Sequence, residues 1–112
     1  TYFYDINDVK NHYDIILVPE VIEHVLNIEK FLEDLMHISF KELYVTAPNI
    51  IHYVKEMKYE DDYFFEIVHP DHKYWFSPYT LYSCFKIYLI EDNFELLLLE
   101  NKSMVGIKMR SL

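Results

Sequence analysis

The sequence predicts an α/β fold: parallel strands flanked by helices, with an antiparallel hairpin at the C-terminal end. Three observations carry this. Two apolar runs of strand length, "YDIILVP" (13–19) and "ELYVTAP" (42–48), are separated by a segment of helical periodicity. A second helix start follows at Ser77 and Pro78. Two further apolar runs, "FELLLLE" (94–100) and "SMVGIKMR" (103–110), then stand two residues apart. Strands that alternate with helices pair in parallel, and closely spaced strands fold back on each other.

Taken in order, residues 1–4 read as the end of a strand and residues 5–11 as a polar connection. The run at 13–19 is continuously apolar, as in a strand buried on both faces, and Pro19 stops it. Ile28, Phe31, Leu32, Leu35 and Met36 then recur at helical spacing, with Asn27 as N-cap and Glu29 in the first turn. Lys30 and Asp34 stand four apart and can pair on the wet face. Pro48 and Asn49 end the second strand. Residues 50–76 read as one long irregular loop, functional or mobile by its length. Its "KYEDDY" segment (58–63) reads as a solvated face. Tyr74, Trp75 and Phe76 read as a staple onto the next helix, with one histidine left to face a site. The helix opened by Ser77 carries Leu81, Cys84, Phe85 and Tyr88 on one face.

Composition bounds the function. The 112 residues suit a single domain, and 52% hydrophobic content with 11 Tyr, 8 Phe and 1 Trp gives a bulky core. A net charge of −9 argues against nucleic acid as a partner, since phosphate-backbone binding needs clustered Lys and Arg. Cys84 is the single cysteine, so no internal disulfide or CxxC metal site exists, and a cytoplasmic compartment is expected. No apolar run approaches the roughly 18 residues of a membrane span. The start "TYFYDIND" has neither the basic opening of a signal peptide nor an initiator Met, so the chain is expected to begin inside a longer domain. The single glycine, Gly106, rules out a Gly-rich phosphate or nucleotide loop within these residues.

The runs "YDIILVPEVIEHVLNIEKFLEDL", "LYVTAPN" and "VHPDHKYWFSPYTL", in that order, resemble the C-terminal half of a class I SAM-dependent methyltransferase. The resemblance covers nearly the whole chain. It implies a partial Rossmann-like methyltransferase sheet and S-adenosyl-L-methionine as cofactor of the complete enzyme. Asp5 matches the family's acid near the adenine, so Asp5 and Ile6, with Val18 and Pro19 at the strand end, are the implied cofactor-side residues. The family's first strand and Gly-rich SAM loop have no counterpart here. A missing N-terminal half or a partner chain is therefore implied. The edge left open on the 13–19 strand predicts association, as a homodimer or with that partner.

The stretch "PEVIEH" lies just past the end of a parallel strand, where open α/β sheets bind ligands. In a helical turn, Glu20 would share a face with Glu23 or His24. Carboxylates with an imidazole suit a divalent ion such as Mg²⁺ or Mn²⁺. The E-x-x-E-H pattern is similar to that of metal-dependent O-methyltransferases, including those acting on the 2′-hydroxyl at RNA 3′ ends. In that RNA group a loop like "HPDHKY" adds a histidine, which would bring His69 or His72 to Glu20, Glu23 and His24. Trp75 and Phe76 depart from that group, which prefers Glu and Trp there. His24 is the candidate general base, since imidazole titrates near neutrality. The competing reading has the glutamate capping a turn and the histidine bonded to backbone.

Two function classes follow. One is an enzyme that transfers a methyl group to the hydroxyl of a small molecule, sugar or glycan, with an RNA 2′-O-methyltransferase fragment as a variant. The other is a methyltransferase-like interaction domain without catalysis, which the single glycine favours for this chain alone. A dinucleotide-binding dehydrogenase fragment is a distant third, disfavoured by the terminal hairpin.

Overall fold

The computed structural model describes residues 2–56, 73–90 and 92–111. The expectations placed on His69, His72 and the 58–63 segment lie outside them. The described residues form strands β1 (His12–Pro19), β2 (Ser39–Pro48), β3 (Phe94–Leu99) and β4 (Met104–Arg110). They also form helices α1 (Ile28–Met36), α2 (Ile50–Glu56) and α3 (Pro78–Phe85), with short 3₁₀ turns at Ile6–Asp8, Ile22–His24 and Lys86–Tyr88.

The sheet is open and mixed, in the order β1-β2-β4-β3. β1 and β2 run parallel, joined through α1, with Ile16 opposite Leu43 and Val18 opposite Val45. β4 lies antiparallel to both β2 and β3. The last strand thus inserts between β2 and the strand that precedes it. Gly106 allows this pairing at close quarters. A Cβ there would stand 3.1 Å from the Val45 carbonyl oxygen and 3.2 Å from the Thr46 methyl.

Side chains alternate across a strand. Leu43, Val45 and Ala47 of β2 therefore share one face with Val105, Ile107 and Met109 of β4, all buried. Leu32 and Leu35 of α1 and Leu81 and Phe85 of α3 join them in one core, with Ile22 and Phe76. Both helices begin as the sequence predicts. The Asn27 side chain accepts from the Lys30 amide, and Ser77 forms a reciprocal capping box with Thr80. Lys30 reaches Asp34 at 2.8 Å.

Five expectations need correction. Residues 2–4 are not a strand. β1 is an edge strand buried on one face only: Ile15 is 57% and Leu17 67% exposed on the face away from the helices. The apolar run is real, but nothing among the described residues covers its second side. The start of the long loop is helical, since α2 follows directly on Asn49. The helix opened by Ser77 gives way to a 3₁₀ turn after Phe85, which carries Tyr88. The hairpin has a four-residue turn, with Glu100, Asn101 and Lys102 all at positive φ (50°, 55° and 71°). Ser103 ties it back by donating its backbone N–H and hydroxyl to the Glu100 carbonyl.

Candidate functional site

The carboxyl ends of β1 and β2 lie side by side, with Pro19 opposite Thr46. β1 ends in a left-handed residue, Glu20, at φ 52°, whose N–H still donates to the Thr46 carbonyl. A non-glycine residue in that region is uncommon. Here it swings the chain off the sheet into the Ile22–His24 turn. Glu20 thus stands outside that turn, and the helical face expected to unite it with Glu23 or His24 does not form.

The turn drives Ile22 into the core and buries Glu23 with it, at 2% exposure. Neither carboxylate oxygen of Glu23 has a hydrogen-bond partner among the described residues. His24 Nε2 stands 3.5 Å from Glu23 Oε1, long for a hydrogen bond, and its ring is partly exposed. Burial pushes the Glu23 carboxyl above its ordinary value of 4.5. Its own backbone amide and His24 draw it back, and the Glu20 charge pushes it up again. Desolvation and a like charge both disfavour the carboxylate and favour the neutral, protonated carboxyl.

The backbone of the same turn is held from the far side of the sequence. The Glu23 carbonyl accepts from the N–H groups of Lys73, at 2.6 Å, and Tyr74, at 3.2 Å. Lys73 and Tyr74, where the chain re-enters the described residues, thus stand against the acid–histidine turn. Of the expected staple, Phe76 is buried and Tyr74 half-buried, while Trp75 is 46% exposed.

The other expected residues divide. Asp5 is exposed and caps the turn at Ile6–Asp8 by accepting from the Asn7 amide. Ile6 leans on the core, Val18 is buried in β1, and Pro19 ends the strand. Among the described residues no three His, Cys, Asp or Glu side chains are grouped to hold a metal ion. Glu23 and His24 therefore offer a pair of donors rather than a full ligand set. No helix of the described residues is long and apolar enough to cross a membrane.

Asn49, weighed as an acceptor contact or a strand stop, is occupied by the fold. Its side chain accepts from the Ile51 amide, capping α2, and donates to the Lys102 carbonyl in the hairpin turn. Its own N–H donates to the Ser103 carbonyl. At 5% exposure these bonds are buried. Asn49→Ala is expected to lower stability by about 1–3 kcal/mol, the cost of stranding buried partners. Urea unfolding with an unchanged m-value is the check.

The chain was compared with known proteins. No family model and no curated protein matches it. A solved chain in "Structure of the Pnkp1/Rnl/Hen1 RNA repair complex" is similar in fold, with a TM-score of 0.64 and 16% sequence identity. The match covers 99% of this chain and 25% of that one, so the chain spans a quarter of its structural neighbour's length. At that identity the likeness shows the fold alone: these mixed α/β elements are arranged as in part of a chain from an RNA repair complex.

Proposed function

We propose that this chain is the acceptor-facing part of a class I SAM-dependent methyltransferase, and that Glu23 and His24 serve the hydroxyl that receives the methyl group. The carrying observation is the Glu23 carboxylate, buried without a hydrogen-bond partner among the described residues, beside a histidine at the carboxyl end of a parallel strand. A carboxylate buried without a partner costs the fold free energy, and sites that handle ions or protons use such groups. The parallel β1-α1-β2 crossover followed by a reversed strand pair supports a partial Rossmann-like sheet. SAM supplies the methyl group when bound. Asp5 is engaged in its own cap and the chain has one glycine, so these residues form at most the rim of a SAM site.

Glu23 and His24 would hold a divalent ion, Mg²⁺ or Mn²⁺, together with ligands beyond the described residues. Such an ion lowers the pKa of the acceptor hydroxyl. An RNA end is favoured as acceptor over a sugar or small metabolite, because the E-x-x-E-H pattern and the likeness to a chain of an RNA repair complex point the same way. The −9 charge confines phosphate contacts to local cations, and Lys73, whose backbone N–H donates to the Glu23 carbonyl, is one beside the turn. In a second reading His24 takes the hydroxyl proton directly, oriented by Glu23. The partly exposed His24 ring beside the buried Glu23 carboxylate supports it.

The full-length protein tests the proposal with labelled SAM and an RNA oligonucleotide ending in a 2′-hydroxyl, beside its 2′-deoxy counterpart and a set of sugars. Transfer to the hydroxyl-ended RNA is expected, lost with EDTA and restored by Mn²⁺. Transfer that survives EDTA selects the second reading, and no transfer to any hydroxyl contradicts both.

A further inference from the structure

The Tyr74 side chain does something that the acid–histidine motif does not require and that neither reading above assigns. Its hydroxyl donates to the Leu26 carbonyl at 3.3 Å and accepts from the Ile28 N–H at 3.3 Å. The Ile28 N–H is one of the donors that the first turn of a helix leaves without an internal partner. The Tyr74 backbone N–H donates to the Glu23 carbonyl. Its ring lies 6.4 Å from that of buried Phe76, fixing the side chain from below. One residue therefore grips residues 23, 26 and 28, spanning the link from the Glu23–His24 pair to α1.

Val25 is half-buried, and Leu26 is 86% exposed. The Asn27 cap secures α1 itself and not the residues before it. The Ile22 side chain and the two backbone bonds from residues 73 and 74 hold the turn itself, and the Tyr74 hydroxyl extends that hold to residues 26 and 28.

We propose that Tyr74 is a positioning residue: its hydroxyl, bonded to Leu26 and Ile28, fixes the turn so that the Glu23 carboxylate and the His24 ring are presented together to a divalent cation. This rests on the reading that the pair holds such an ion. Partners that orient metal ligands typically cost 10–100-fold in affinity when removed.

The test uses the full-length protein, Tyr74→Phe, and Mn²⁺ alone as probe, followed by electron paramagnetic resonance of the free ion. Tyr44→Phe is the control, since it removes a hydroxyl bonded to Glu42 within β2. Tyr74→Phe is expected to bind Mn²⁺ at least about 10-fold more weakly than wild type. Amide exchange in peptides covering 22–29 is expected to quicken while that of β4 is unchanged. Tyr44→Phe is expected to alter neither. Wild-type Mn²⁺ affinity in Tyr74→Phe overturns the proposal and leaves the metal reading intact. An equal loss in Tyr44→Phe also overturns it, as a general effect of stability. A wild-type protein that binds no Mn²⁺ removes the metal reading itself, and the proposal with it.

Discussion

On the proposed function, replacing His24 by Ala is expected to lower methyl transfer by the full-length protein about 10²–10⁴-fold at saturating acceptor, with SAM affinity nearly unchanged. The imidazole stands past the carboxyl end of β1, 3.5 Å from Glu23, and its ring is partly exposed. It lies in the chain between the buried Glu23 and the link to α1, so its loss removes a functional atom without opening the core. Single-turnover rates with labelled SAM, together with SAM titration by calorimetry, measure the two quantities separately. Full activity with a lowered melting temperature would make His24 a structural bond donor, and the E-H pair a shaped turn only.

Glu23→Gln is expected to have opposite effects on function and stability. A carboxyl whose folded pKa lies above its unfolded value binds its proton more tightly when folded. Stability contributed this way is complete at low pH and falls as pH rises from the ordinary carboxylate range through the raised folded pKa. Burial is the first cause of the shift, so the amide, which carries no charge, escapes most of it. At neutral pH the variant should be more stable by about 1 kcal/mol, within the range for relieving a buried, unsatisfied group. That corresponds to about 4–8 °C for a chain near this size. Thermal melts from pH 4 to 8 should show a flatter slope than wild type. Mn²⁺ binding should meanwhile fall 10-fold or more. Loss of stability in Glu23→Gln across that range would mean that the carboxylate serves the fold.

Much of the fold was legible because its signals are local. Asn27 and Ser77 announce their helices by short-range caps, and Pro19 and Pro48 close their strands. The order of elements fixed the parallel pair and the terminal hairpin. What was not legible depends on neighbours. The run at 13–19 has the composition of a strand covered on both faces, but periodicity cannot say whether the second cover belongs to the same residues. Leu17, 67% exposed, shows that here it does not. Helix α2 hid behind Pro48 and Asn49, which read as an ending, although Asn49 is also a helix cap. The left-handed turn at 100–102 uses Glu and Lys where glycine would have marked it.

The candidate site divides in the same way. The E-x-x-E-H pattern makes Glu23 and His24 candidates, but it assumes a helical turn from Glu20. The left-handed Glu20 and a 3₁₀ turn replace it. In sequence Tyr74 reads only as part of an aromatic staple, since its partners at residues 23, 26 and 28 are some fifty positions earlier. A Tyr beside "HPDH" is the signal that could have found it. Asn49 looked available to an acceptor, and only the tertiary bonds to the hairpin turn show it occupied.

The central claim is that Glu23 is held buried for a ligand and not for the fold. Carbon-13 labelling of the glutamate carboxyls in the full-length protein, with Mg²⁺ titration followed by NMR, tests it most directly. The account predicts a saturable shift of the Glu23 carboxyl at Mg²⁺ concentrations that leave exposed Glu29 and Glu33 unmoved. A Glu23 signal unmoved by Mg²⁺, or one moving only in step with those surface carboxylates, would contradict it.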